Sequence, residues 1–165
     1  MGKKRFLVGL LFLIGIILVS QTFTAEPVEL KVGASPTPHA GILEAVKPML
    51  AAEGIQLRII EFQDYVQPNL ALAEGELDAN FFQHIPYLEQ FAKDHRLDLT
   101  YIAKVHIEPM GVYSKKITEL AQLRNRAVVA VPNDPTNCGR ALMLLEQAKL
   151  IELREGVGLL ATEFD

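Results

Sequence analysis

The sequence predicts an α/β fold with a parallel sheet. Three short runs with strand composition, at residues 29–34, 56–62 and 77–82, alternate with segments whose apolar residues recur at helical spacing. Two strands joined by a helix form a βαβ unit, which makes the strands parallel and packs the helix on the sheet. The 165 residues are enough for one domain or two small lobes.

Composition and charge exclude several functions. The formal net charge is −4, so no nucleic-acid partner is indicated. A single cysteine, Cys138, excludes an intrachain disulfide. No CxxC or HxxxH motif occurs, and the histidines, which are His39, His84, His95 and His106, are far apart in sequence. The sequence therefore predicts neither a metal site nor a bound cofactor.

Residues 1–25 have the pattern of a secretory signal. A basic start at residues 3–5 precedes an apolar run at residues 6–19, which is short for a membrane span. Cleavage is expected after Ser20 or Ala25, and the alternative is an uncleaved N-terminal membrane anchor. In both cases the chain is expected in the cell envelope, periplasmic or membrane-associated.

The first helix is expected to follow the first strand directly. Thr37 is placed to cap it, and Pro38 then occupies the first helical position. Gly54 is expected to end the helix. Pro48 is expected to kink or shorten it, because proline lacks the amide that an interior position donates. The residues expected to face the core are Ile42, Leu43, Val46, Met49 and Leu50.

The second and third strands are each followed by a helical pattern. In the second strand, Ile59 and Ile60 are the predicted core residues. Residues 64–67 then form a capping-box pattern at the start of the next helix. In the third strand, alternation across the pleat predicts Phe81 in the core and Phe82 on the opposite side. The inward residues of the helix that follows are predicted to be Leu88 and Phe91.

Residues 97–134 are predicted to add three strands and one helical turn. The strands are predicted at residues 97–107, 110–113 and 127–131, the last being apolar, β-branched and buried. The helical turn is predicted at residues 118–123.

A capped helix is predicted directly after the last of these strands. Asp134 is a favourable N-cap, Pro135 is the first helical residue, and Leu142 and Leu145 continue the pattern. In open α/β sheets ligands bind beyond the carboxyl ends of the strands, where helix amides favour an anion. Arg140 would add a bidentate donor for a carboxylate or phosphate. The alternative is a surface helix with a solvated arginine.

Three loops that connect strands to helices are expected to converge on one crevice. They lie at residues 64–65, 81–87 and 133–140, and their aromatic and polar side chains suit a zwitterion with an apolar tail, such as an amino acid. The candidate site residues are Tyr65, Phe82, His84, Tyr87, Asn137 and Arg140. The alternatives are that the tyrosine of the second loop is a core residue and that its histidine only caps a helix.

Four segments of the sequence carry a resemblance to a known family. They are residues 64–72 (DYVQPNLAL), 77–88 (LDANFFQHIPYL), 111–116 (GVYSKK) and 131–142 (VPNDPTNCGRAL). In this order and spacing they resemble the NlpA lipoprotein family, the methionine-binding proteins of bacterial ABC importers. The resemblance covers nearly all of residues 30–160.

The resemblance implies a two-lobed, type II periplasmic-binding fold that closes over methionine and delivers it to a membrane permease. Residues 26–108 would form the first lobe and residues 109–165 part of the second, with the second lobe and the returning hinge incomplete. The family's aromatic pocket matches Tyr65, Phe82 and Tyr87. Its polar ligand contacts match His84, Asn137 and Arg140.

The sequence departs from the family in three ways. Gln21 stands where the family has its lipid-bearing cysteine, which puts membrane anchoring in doubt. Cys138 replaces an ordinary helix residue. The chain is also shorter than family members, so it is expected to bind methionine weakly or not at all on its own.

Four alternatives remain open at this point. The chain is a truncated or split product with little binding of its own, or it binds another apolar amino acid or a peptide. In a different class, Cys138 and a histidine would form the nucleophilic pair of an enzyme. The last alternative is a structural or adhesive envelope protein. The expectation adopted is a binding protein and not an enzyme.

Overall fold

A three-stranded parallel sheet forms the centre of the described chain. The computed structural model describes residues 26–165, and the predicted signal or anchor lies outside the described residues. The strands are β1 (Val28–Ala34), β2 (Ile55–Glu61) and β3 (Ala79–Phe81). Their order is β2-β1-β3, and both pairings are parallel. The predicted α/β fold with a parallel sheet is confirmed.

The register of the sheet brings the ends of all three strands to one edge. Ala34, the last residue of β1, lies opposite Glu61 of β2 and opposite Phe81 of β3. These two residues are also the last of their strands. The loops that follow β1, β2 and β3 therefore leave the sheet side by side, as ligand-binding loops of α/β proteins do.

The first helix begins with a wide turn and continues past its proline. Pro36–Ala40 form a π-type turn, and helix α1 covers Gly41–Ala52. The prediction that Thr37 caps this helix was wrong: Ser35 lies at the cap position of the turn, and Thr37 lies inside the turn with extended dihedrals, φ −135° and ψ 130°. Pro48 lies inside α1 and does not shorten it. The prediction for Met49 was wrong: its side chain is 68% exposed, because it faces away from the sheet.

The core of β2 differs from the prediction. Leu57 is buried, whereas Ile59 and Ile60 are half-buried. Successive strand residues point to opposite faces. Because β2 is an edge strand, it has a neighbouring strand on one side only, and both isoleucines stay partly accessible.

The two phenylalanines of the third strand also reverse the prediction. Phe82 is buried among Tyr87 and Phe91, whereas Phe81 is half-buried against His39. The reason is that β3 ends at Phe81. Phe82 has left the strand, so the alternation of the pleat no longer determines its direction.

Helices α2 and α3 follow β2 and β3. Helix α2 covers Gln67–Ala73 and α3 covers Ile85–His95. The predicted cap at the start of α2 is confirmed, since Asp64 Oδ1 accepts the amides of Val66 and Gln67 at 2.8 Å each. The predicted inward residues of α3 are confirmed as buried: they are Leu88 and Phe91.

The three strands predicted at residues 97–107, 110–113 and 127–131 were wrong. In the part of the chain that the structure describes, these residues form no strand, and Val128 is fully exposed. A strand requires backbone hydrogen bonds to a neighbour, and the described sheet pairs only β1, β2 and β3. The helical turn predicted nearby is confirmed as a 3₁₀ turn at Leu120–Gln122.

The last helix, α4, covers Pro135–Gln147 and has its own small core. Leu142 and Leu145 are buried there with Ala161, next to a 3₁₀ turn at Gly158–Leu160. No helix among residues 26–165 is long and apolar enough to cross a membrane.

Candidate functional site

Three of the predicted site residues form an aromatic cluster at the carboxyl edge of the sheet. The ring centroids of Tyr65 and Phe82 lie 5.9 Å apart, those of Tyr65 and Tyr87 6.2 Å, and those of Phe82 and Tyr87 6.1 Å. These spacings are typical of attractive edge-to-face and tilted pairs. Phe82 and Tyr87 are buried, but Tyr65 is 52% exposed. The aromatic cluster therefore consists of one accessible ring, that of Tyr65, packed against two buried rings.

The Tyr87 hydroxyl is part of the base of this cluster. It donates to the backbone carbonyl of Tyr65 at 2.7 Å, which fixes the loop after β2. Burial, together with the smaller effects of the negative charges of Asp134 and Asp64, raises the pKa of Tyr87 to about 12. The hydroxyl therefore remains a neutral donor at physiological pH, and the ring is mainly a packing surface.

His84 caps helix α3 and reaches across to helix α4. Its Nδ1 accepts the Tyr87 amide at 3.0 Å, so this nitrogen carries no proton. The proton is then on Nε2, which lies 2.8 Å from Asn137 Oδ1 and donates to it. The expected helix cap is present, and the same ring also makes a contact outside its own helix.

Asn137 and Arg140 continue this contact into a polar chain, here defined as His84, Asn137 and Arg140. Asn137 Oδ1 also accepts from Arg140 Nη1 at 2.8 Å, and Asn137 Nδ2 donates to Asp134 Oδ2 at 3.0 Å. Arg140 Nη2 donates to the Glu108 carbonyl at 3.2 Å. The guanidinium is half-buried and held at two nitrogens, unlike the solvated arginine of the alternative interpretation.

The aromatic cluster and the polar chain each border a surface hollow. A hollow of about 250 Å³ lies beside Tyr87 and is also lined by Val66 and Phe91. A wider, open hollow of about 480 Å³ lies beside Arg140 and includes Met110. Neither hollow contains both Tyr87 and Arg140, so within residues 26–165 the six predicted residues form an open wall.

A buried amide network beneath the site was not predicted from the sequence. Asn69 is fully buried, and its Nδ2 donates to Gln83 Oε1 at 2.9 Å. Its Oδ1 accepts from Gln83 Nε2 at 2.8 Å and from Asn80 Nδ2 at 2.9 Å. This network joins α2 to β3 and to the loop that carries the aromatic cluster. The one available signal was an asparagine within a predicted strand, where it is disfavoured.

Two histidines that the sequence separates lie together in the structure. The ring centroids of His39 and His106 are 5.2 Å apart. With Glu108 they bring three ligand-type atoms within 4.8 Å of one another. These two histidines are far apart in sequence and meet because the chain after α3 returns to the turn after β1.

Cys138 has none of the properties of an activated nucleophile. Burial raises the pKa of its thiol, and the charges of Glu163 and Asp134 act in the same direction. The side chain packs on the small core of α4. A reactive cysteine needs a lowered pKa, so this geometry opposes the enzyme alternative.

Comparison with known proteins gives these features a family context. A family model described as NlpA lipoprotein matches residues 30–165. The D-methionine-binding lipoprotein MetQ of Salmonella typhimurium is 43% identical over 141 residues, which is 85% of this chain and 52% of that protein. The chain thus spans about half the length of this relative.

Solved structures show the same fold. A nutrient-binding protein from Burkholderia cenocepacia, bound to methionine, has a TM-score of 0.79 and 43% identity over 82% of this chain and 58% of its own. An ABC transporter periplasmic substrate-binding protein from Coxiella burnetii has a TM-score of 0.77 and 44% identity over 82% and 57%. The predicted periplasmic-binding fold is confirmed by this likeness. With the family model matching residues 30–165, the chain belongs to the NlpA lipoprotein family.

Proposed function

We propose that this chain is the substrate-binding component of an ABC importer for D- and L-methionine. Its relatives include proteins named for methionine binding and for ABC transport. The observation that carries the proposal is the adjacency of the aromatic cluster and the polar chain at the carboxyl edge of the sheet. This edge is where α/β proteins bind small molecules.

The aromatic cluster would receive the methionine side chain. Tyr65 offers an accessible ring edge beside buried Phe82 and Tyr87. Thioether sulfur packs favourably against ring edges, by about 0.3–1.5 kcal/mol per contact. A straight apolar side chain without sulfur would lose this contribution and keep only its apolar burial.

Arg140 would bind the ligand carboxylate. A guanidinium has five N–H donors, and two donor contacts of Arg140 are made within the protein, to Asn137 and to the Glu108 carbonyl. Among residues 26–165 the remaining donors make no hydrogen bond, so they can form a charge-assisted pair with a ligand. His84 and Asn137 use most of their polar atoms on each other and on Arg140 or Asp134, so their role here is to hold the guanidinium in place.

The two-lobed division is part of the same proposal. Residues 26–108 would form the first lobe and residues 109–165 belong to the second, with the ligand between them. The expectation of weak binding follows from the open wall, because a ligand resting on one wall keeps the other side in water. The chain would act in the cell envelope, with residues 1–25 as its export signal or anchor.

A full-length chimera tests this proposal. Residues 26–165 are joined to the remaining C-terminal part of the Salmonella typhimurium protein, and binding is measured by titration calorimetry. We expect D- and L-methionine to bind at least about a hundredfold more tightly than glutamine, a difference of about 2.7 kcal/mol. Equal affinity for leucine would show that the site binds apolar amino acids in general and is not specific for methionine. Absence of binding to any amino acid, in a chimera with cooperative unfolding, would overturn the proposal.

The permease is tested separately, in cells that lack their own methionine-binding protein. The chimera should restore uptake of labelled methionine, and its Arg140→Gln variant should not. Restored binding in vitro without uptake would limit the proposal to methionine capture.

A further inference from the structure

We propose that His39, His106 and Glu108 form a binding site for a divalent transition-metal ion, with Zn²⁺ as the best match. The proposal stands independently of methionine binding. Two imidazoles and one carboxylate are the protein ligands of a well-known class of zinc site that keeps its fourth position open.

The three side chains already have nearly the spacing that one ion requires. His106 Nε2 lies 3.4 Å from Glu108 Oε1, and His39 Nε2 lies 4.0 Å from the same oxygen. All three ligand atoms are within 4.8 Å of one another. Ligand atoms around tetrahedral Zn²⁺ lie about 3.3 Å apart, given bonds of about 2.0 Å. Binding therefore needs the exposed side chains of His106 and Glu108 to close gaps of up to about 1.5 Å.

His39 is held in the orientation that a ligand needs. Its Nδ1 lies 2.6 Å from Ser35 Oγ, so with the Nδ1 proton donated to this hydroxyl, Nε2 keeps a free lone pair toward Glu108. Metal-bound histidines are typically fixed in this way by a polar group on the opposite nitrogen.

Phe81 gives the site an apolar wall. Its ring meets His39 edge-on at 4.6 Å and His106 edge-on at 5.6 Å between centroids. On the other side, the Glu108 side chain is 50% exposed and that of His106 is 29% exposed, so an ion can enter from solvent. A rigid buried ligand, two adjustable ligands and an entry path are the features expected of an exchangeable metal site.

The other histidines provide the controls. His84 is engaged by Asn137 and by the Tyr87 amide, and His95 stacks on Phe91 at 4.1 Å between centroids. Residues 1–25 contain no histidine, cysteine, aspartate or glutamate that would compete for the ion. The full chain without a histidine tag is therefore a clean sample for metal titration.

The test is calorimetric titration of the chelator-treated chain with ZnCl₂. We expect one ion per chain, and the Glu108→Gln and His106→Gln variants should each weaken binding by more than the roughly 10–100-fold that loss of an outer-shell partner costs. His95→Gln, the matched control, should leave the affinity unchanged. Circular dichroism of each variant checks that the fold is retained.

Cobalt supplies a second readout that an ordinary histidine–carboxylate pair would not give. Addition of Co²⁺ to the chain should produce visible absorption bands of a low-symmetry site, and Glu108→Gln should remove them. Zinc affinity that is unchanged in both Glu108→Gln and His106→Gln would overturn the proposal. So would the absence of any one-to-one binding by a folded chain.

Discussion

The His84 imidazole and the Asn137 carboxamide are joined by a 2.8 Å hydrogen bond, although 53 residues separate them in sequence. The bond links the N-terminus of α3 to the first turn of α4. It also orients the oxygen that accepts from Arg140. The Asn137 amide thus connects α3, the helix that contains Tyr87, to the arginine expected to bind a carboxylate.

A double-mutant cycle should measure this link. We expect His84→Ala and Asn137→Ala each to destabilise the chain, and the double variant to lose about 1 kcal/mol less than the sum, because the shared hydrogen bond is lost once. Urea unfolding followed by circular dichroism gives the three differences. Additivity within about 0.3 kcal/mol would show that the bond contributes nothing to stability.

Replacing Gly139 by alanine should destabilise the chain. It lies buried in α4, where a Cβ would collide with the Leu159 backbone carbonyl. Alanine normally stabilises a helix interior relative to glycine by about 1 kcal/mol. At this position we expect the reverse, a loss of about 1–3 kcal/mol, because backbone must move.

The control for this substitution is Gly41→Ala in α1. Nothing lies within 4 Å of a Cβ built there, and φ is −61°. It should be neutral or slightly stabilising in thermal unfolding. A Gly139→Ala chain as stable as the parent would contradict the close packing of α4 on the 3₁₀ turn.

Asn69 should be essential for stability, since its fully buried side chain is the centre of the amide network. In Asn69→Ala, Gln83 Oε1 loses its donor, whereas Asn80 Nδ2 and Gln83 Nε2 each keep one other acceptor, Pro68 O and Asn80 Oδ1. We expect a loss of about 1–3 kcal/mol, the cost of one unsatisfied buried group. Asn133→Ala, an exposed asparagine, is the matched control and should change stability by less than about 0.5 kcal/mol. Similar losses in both variants would exclude a structural role for the buried network.

Tyr87 should make stability fall in alkaline solution. Its pKa is about 12 in the folded chain against an ordinary value of 10.0, so the folded state holds the proton more tightly. Stability from this group is complete below pH 10 and is lost as the pH rises toward 12. In Tyr87→Phe the free energy of unfolding should therefore decrease less steeply between pH 10 and pH 12 than in the parent chain. An identical slope in Tyr65→Phe, whose ring is half exposed, would show that the effect is unspecific.

Local chemistry explains which elements could be predicted from the sequence. The caps at Asp64 and Asp134 depend on neighbours three residues away, and both occur as predicted. The strand around residues 29–34 has alternating apolar and polar residues, and the strand around residues 56–62 contains two adjacent isoleucines. For these segments, local preference and tertiary context agree.

The errors arise where partners decide the structure. The run at residues 127–131 has strand composition, but no strand of the described chain pairs with it. Phe82 reverses its predicted direction because β3 is one residue too short. The approach of His39 to His106 depends on the path of the chain after α3, which no local pattern encodes. The six site residues were predicted from their places after predicted strands, one of which, at residues 127–131, is absent from the described chain. That these residues bind a ligand stays a prediction.

The most direct test of the central claim is a titration of the isotope-labelled chain with L-methionine, followed by two-dimensional NMR. We predict saturable movement of the Tyr65 and Arg140 resonances, with a dissociation constant of about 1 mM for this open wall, or −4.1 kcal/mol. Arg140→Gln should abolish the movement, and Arg124→Gln, an exposed control, should preserve it. Resonances that do not move at roughly ten times that concentration, or that move equally in Arg140→Gln, would contradict the assignment of this wall to methionine.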